Sequence, residues 1–164
     1  PNKLPQSNPS IANMTIIGNT FDTADKDSEG VYLREGSKAQ LHNFVITGPT
    51  GMGECLELEA GLTVDQAKSG DTVLSNSVIA CDEAFKGTAD SSDTAFDLMS
   101  WFTNDNTENS TAENTSAVLD GIFTIDTTTP KDFTGNSFFE NADHVGAVTE
   151  AKNWTAGWTV GLEE

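Results

Sequence analysis

The chain has 164 residues, about one domain, and carries 8 Lys+Arg against 26 Asp+Glu for a formal net charge of −18. Such a surface excludes nucleic-acid binding, which needs a basic face to meet phosphates. No apolar run approaches the ~18–20 residues of a membrane span, and the many Thr and Gly exclude a coiled coil.

Thr, Ser, Asn and Gly together supply over a third of the residues. High charge with modest hydrophobicity favours disorder, yet the apolar residues gather into short runs, as a folded chain requires. The stretch from Thr103 to Thr115, TNDNTENSTAENT, reads as an acidic flexible loop (103–115). Pro1 is not an initiator Met, and the first strand is expected near Ile11. A mature or shortened chain lacking an upstream part is therefore expected. A pI near 4.1 with few lysines fits an extracellular or outer-cell-surface location.

In chain order, the apolar runs recur. IANMTIIG begins at Ile11, LHNFVITG at Leu41 and LSNSVIAC at Leu74, with VLDGIFTI from Val118 as a fourth. Their anchors are Asn13, Asn43, Asn76 and Asp120. Between them lie GVYLREG from Gly30 and ECLELEA from Glu54, with DTAFDLM from Asp93 as a third member. The first two alternate apolar and polar residues, the pattern of a strand with one buried face. Two strand types alternating in an irregular repeat predict an all-β, right-handed parallel β-helix of about three to four coils. Asn at a repeated corner forms a ladder and tolerates left-handed backbone, so Asn13, Asn43 and Asn76 are the expected structural ladder. An antiparallel sandwich is the competing fold, but its Asn-Gly or Asp-Gly hairpins are scarce here.

Thr63-Val64-Asp65-Gln66 has the form of a capping box, predicting a short helix that stops at Ser69-Gly70. The repeat gives residues 1–130 as coils. Residues 131–164 break it and hold Phe133, Phe138, Phe139, Trp154 and Trp158, an aromatic-rich C-terminal cap. No matching N-terminal cap is visible.

The stretches SNPSIANMTIIG, GVYLREGSKAQLHNFVITG, CLELEAG and NADHVGAVTEAKNWTAGWTVGL together resemble a family of secreted or lipoprotein surface proteins of Gram-negative, often marine, bacteria with parallel β-helix repeats. The matching region is the C-terminal part of longer family members. The LREG motif at Leu33–Gly36 and the NWTAGWT motif at Asn153–Thr159 carry the likeness. It implies the fold and the surface location, and supplies no catalytic residue.

Few residues offer chemistry. Cys55 and Cys81 are an even pair in a chain of extracellular character and are expected to form a disulfide. Asp22, Asp25, Asp27 and Glu29 place four carboxylates on one loop, a candidate Ca²⁺ site, although a solvated acidic loop accounts for them more simply. Asp90, Asp93 and Asp97 are a second such group. Tyr32, Arg34, Glu57 and Glu59 are expected to share one outward strand face. That patch reads as stacked ion pairs before it reads as a catalytic or sugar-binding site. His42 and His144 stand apart from any nucleophile or ligand spacing. The sequence thus predicts a non-enzymatic structural or binding protein with no obligatory cofactor. Its expected partner is another copy, or its own missing N-terminal half, docked on an open coil end to give oligomers or filaments. The alternatives are a polysaccharide-binding or polysaccharide-cleaving domain and a Ca²⁺-dependent adhesin module.

Overall fold

The computed structural model describes residues 3–20, 28–86, 95–157 and 159. It is mostly strand, arranged as two parallel sheets between which the chain alternates. The first sheet takes β1 (Ser10–Ile17), β3 (Gln40–Thr47), the pair β5 (Val73–Ser75) and β6 (Val78–Ala80), and β8 (Ser110–Thr111). The second takes β2 (Val31–Leu33), β4 (Glu54–Leu58) and β7 (Glu83–Lys86). The all-β, parallel expectation therefore holds.

The sequence repeat sets the register. Ile11 pairs with Leu41, and Leu41 with Leu74; Ile16 pairs with Ile46, and Ile46 with Ile79. In the second sheet Val31, Leu56 and Phe85 stand in one column. Like residues thus lie on like residues, and the main core fills the space between the sheets with Leu41, Phe44, Ile46, Leu56, Leu58 and Ile79 all buried. The disulfide between Cys55 and Cys81 lies in this core, its Cα atoms 6.0 Å apart.

Three expected elements fall elsewhere. The run at Val118–Ile125 adds no fourth parallel strand. Its Gly121-Ile122 makes the turn of a small antiparallel hairpin, β9 (Leu119–Asp120) with β10 (Phe123–Thr124). Gly121 supplies the positive φ, 58°, that such a turn favours. The fourth layer is instead β8, inside the stretch read as a loop, where Ser110 and Thr111 face Val78 and Ile79. Likewise the third strand of the second sheet is Glu83–Lys86; of the expected run, Asp93 and Thr94 lie outside the described residues, and Leu98 and Met99 are helical.

Two insertions leave the second sheet and return to the first. One carries α1 (Leu62–Ser69) between β4 and β5. The helix ends as predicted, on Gly70 in the left-handed region. The capping box does not form: Gly61 is the N-cap, and the Thr63 hydroxyl accepts from the Gly36 amide at 3.0 Å instead. The other insertion carries α2 (Leu98–Ser100) and a π-helix (Trp101–Asp105) between β7 and β8.

The segment after β10 runs lengthwise back over the layers. Thr128 meets Ser110 of the fourth layer at 2.7 Å, and the Thr129 carbonyl accepts from Asn76 of the third at 3.0 Å. The Lys131 amide donates to Asn43 of the second at 2.6 Å. The His144 carbonyl accepts from Asn13 of the first at 2.9 Å. Val118, Leu119 and Val145 pack on Val45, Val78 and Ala80, the outward residues of the first sheet, as a second buried cluster.

Candidate functional site

Asn13, Asn43 and Asn76 sit at one corner of successive layers with φ of 55°, 60° and 53°. Left-handed backbone costs most residues roughly 1–2 kcal/mol, and Asn least after Gly. The Asn43 side-chain amide donates to Asn13 Oδ1 at 3.0 Å. Glu108, two residues before Ser110, takes the same conformation in the fourth layer (φ 54°). The amide chemistry there comes from its neighbour Asn109, whose Oδ1 accepts from the Ser77 amide at 2.9 Å. The corner is structural, and the returning segment covers it.

Beside this corner, His42 Nδ1 lies 2.8 Å from the Ser75 hydroxyl, one layer away. Sequence spacing hides such a pair, because its members are 33 residues apart. Ser75 donates its hydrogen to Asn76 Oδ1 at 2.9 Å, so the imidazole must be the donor to Ser75. Ser75 is buried, and Phe133 lies edge-on to His42 at 5.7 Å. Burial first, and Lys131 second, hold the His42 pKa below its usual value. A general base has to accept the proton of a reachable nucleophile, whereas here the ring donates to a buried hydroxyl.

With the first sheet covered along this corner, the second sheet offers the strand face that carries the charged residues. Tyr32 pairs with Glu57, and Glu57 with Lys86, in one column across three layers. The Arg34 guanidinium carbon lies 5.3 Å from the Tyr32 ring centre, and its Nη2 lies 3.8 Å from both Glu35 and Glu59. The four patch residues expected from the sequence are thus brought together. Burial, then the Glu57 charge, raises the Tyr32 phenol above its ordinary pKa, with Arg34 acting against them.

Sequence reasoning missed Lys86 and Glu54, which anchor the patch. Lys86 Nζ is 3.3 Å from Glu54 Oε1 and 3.3 Å from Glu57 Oε2. Glu54 and Glu57 are each only 8% exposed, and Glu54 Oε2 has no hydrogen-bond partner. The signal was present: Glu83-Ala84-Phe85-Lys86 repeats the acidic–small–apolar–charged order of Glu54-Cys55-Leu56-Glu57. Glu54 and Glu57 thus share a single ammonium, which ties both carboxylates into one contact across layers.

Of the candidate calcium ligands, Asp22, Asp25 and Asp27 lie outside the described residues, as do Asp90 and Asp93. Asp97 caps α2, accepting from the Ser100 amide at 2.9 Å. Among the described residues no group of three or more His, Cys, Asp or Glu side chains is arranged to hold a metal. No described helix is long and apolar enough to cross a membrane.

The family model described as a pectate-lyase-like beta helix domain matches residues 1–159. The chain belongs to the pectate-lyase-like β-helix family. The match covers nearly the whole chain, in keeping with its two parallel sheets and stacked register. No curated protein and no solved structure matches it.

Proposed function

We propose that this β-helix domain is a non-enzymatic binding or scaffolding unit of the extracellular space or cell surface, wound as a right-handed parallel β-helix. The arrangement of Lys86 between Glu54 and Glu57 carries the reading. Polar residues of the second sheet pair across layers through Lys86, Glu54 and Glu57, the kind of cross-strand pairing that stabilises a solenoid face. The buried disulfide supports an oxidising compartment, and the strong negative charge supports solubility outside the cell.

The test is incubation of the full chain with polygalacturonate, alginate and neutral β-glucans, following viscosity and new reducing ends. No turnover is expected. Cleavage that disappears in Glu57→Gln overturns the reading in favour of a polysaccharide-cleaving domain.

A second reading, self-association through a sheet edge, is favoured by β1. Its eight residues form an edge of the first sheet, and Met14 and Ile17 there are 37% and 49% exposed. Unpaired strand edges template further strands. Light scattering on the chain decides the matter. A mass that grows with concentration supports edge pairing, and a constant 17.4 kDa removes it.

A further inference from the structure

The two insertions leave successive strands of the second sheet and stack on each other, enclosing a cleft of about 550 Å³ between the end of α1 and the π-helix. The Trp101 indole N–H donates to the Ala67 carbonyl at 3.2 Å and fixes the distance between the walls. Asn106 forms part of the lining and is held at both ends of its amide: it donates to the Trp101 carbonyl at 2.8 Å and accepts from the Leu74 amide. Phe96 stands beside Trp101, ring centres 6.4 Å apart, and Lys68 Nζ lies 5.8 Å from the Phe96 ring centre. Asp97 and Asp105, both exposed, bring carboxylates to the same lining.

A lining of this kind has a defined chemical preference. Its volume lies within the roughly 300–1,000 Å³ typical of small-molecule sites. The π-helix is a rare conformation that recurs at functional sites. An aromatic face takes an apolar surface, and carboxylates with an ammonium at the rim take hydroxyl groups. A pyranose ring presents both, a C–H face and a fringe of hydroxyls. An anionic sugar is opposed by two carboxylates against one ammonium, on a chain of net charge −18. We propose that this cleft binds a neutral oligosaccharide, with Phe96 under a sugar ring and Asp97, Asp105 and Lys68 on its hydroxyls. The proposal rests on the non-enzymatic reading and places the ligand away from the charged strand face.

The experiment is a ¹H–¹⁵N titration of the full chain with cellohexaose, laminarihexaose and mannohexaose, with hexagalacturonate as the anionic control. One neutral hexasaccharide is expected to shift amides in 67–73 and 95–106, while hexagalacturonate leaves them unmoved. Phe96→Ala is expected to weaken binding about tenfold. Asp105→Ala, at an exposed side chain, is expected to weaken it without disturbing the fold. Three outcomes overturn the proposal: no shifts with any neutral sugar, shifts confined to the Tyr32–Arg34 face, or both variants binding like the parent chain. Sugars left uncleaved and unbound sink this site alone, whereas cleavage sinks the non-enzymatic reading and this proposal with it.

Discussion

Asn13 and Asn43 are joined across two layers by a 3.0 Å hydrogen bond, and Asn13 is where that ladder ends. Both hydrogens of the Asn13 amide are used by carbonyls of the returning segment, His144 at 2.9 Å and Gly146 at 3.2 Å. These carbonyls stand where the Oδ1 of a further Asn would accept. At this corner the first layer is therefore covered by the chain's own C-terminal part. Edge pairing at β1 has to leave these contacts in place or displace them.

Asn43 bonds both Asn13 and the returning segment, and its replacements separate two costs. Asn43→Ala loses the amide that fills Asn13 Oδ1 and the oxygen that accepts from the Lys131 amide, while keeping a side chain at φ 60°. Asn43→Gly loses the same bonds but relieves the backbone. Stranded buried polar groups cost about 1–3 kcal/mol each, and left-handed backbone about 1 kcal/mol more for Ala than for Gly. Urea unfolding should therefore give a loss of roughly 3–5 kcal/mol for Ala, with Gly milder by about 1 kcal/mol. Equal losses for the two would remove the backbone part of the argument.

Acid should loosen the returning segment in two steps. Burial chiefly holds the folded pKa of His42 below its ordinary value of 6.5. Its contribution is present above about pH 6.5 and is lost as pH falls through the lowered folded value, because the unfolded chain then binds the extra proton. Asp143 is held down from 3.8 to about 2 by its hydrogen bond to His144 and then by Lys152. Its contribution is present above 3.8 and is lost toward 2. Asp132 moves the same way, through Thr134 and then Asn141. Hydrogen exchange of residues 128–157 should accelerate in both windows, and His42→Gln should abolish the upper one.

The shared corner and the core were legible because each is local in the repeat, although Asn43 bonds Asn13 while Asn76 bonds the Thr129 carbonyl instead of Asn43. Asn13 and Asn43 lie within β1 and β3, and Asn76 between β5 and β6, all in one sheet, and Ile16, Ile46 and Ile79 keep the same offset from them. The fourth layer was not legible. Its strand is two residues, Ser110 and Thr111, and offers no alternation to count. Its corner residue is Glu108, which carries no preference for positive φ. The run at Val118–Ile125 looked like a strand of the stack because it is apolar, and Val118 and Leu119 are indeed buried. What it covers is the outer face, where Val118 and Leu119 meet Val45 and Val78. Apolar content marks burial without saying against which face. The patch of Tyr32, Arg34, Glu57 and Glu59 followed from period-two alternation. Lys86 did not, because β7 is four residues long and was passed over for a later run.

That lysine should matter more than the arginine beside it. Lys86→Met leaves Glu54 and Glu57, each only 8% exposed, without their shared cation. Breaking a buried pair from one side costs about 3–5 kcal/mol, and partial exposure of Lys86 brings the expected loss to roughly 2–4 kcal/mol. Arg34 is 57% exposed in its side chain, so Arg34→Ala should cost under about 1 kcal/mol. Adding Glu54→Gln and Glu57→Gln to Lys86→Met should recover most of the loss in urea unfolding. A triple variant no more stable than Lys86→Met would show that the lysine acts through packing of its stem rather than through charge.

The disulfide links β4 to the end of β6, across the insertion that carries α1 and one wall of the cleft. Its ring spans 26 residues of separation, and closing a loop of that size removes about 3 kcal/mol of unfolded-state freedom in the chain-entropy model. Cys55 is 0% exposed and Cys81 9%, so a reductant should reach the bond only when the layers open. Reduction should therefore be slow under native conditions and fast in denaturant. The Cys55→Ala/Cys81→Ala variant should unfold about 3 kcal/mol sooner while keeping the same sheets by circular dichroism. Rapid reduction of the folded chain would mean that β4 and β6 separate far more readily than their buried neighbours Ile46, Leu56 and Ile79 suggest.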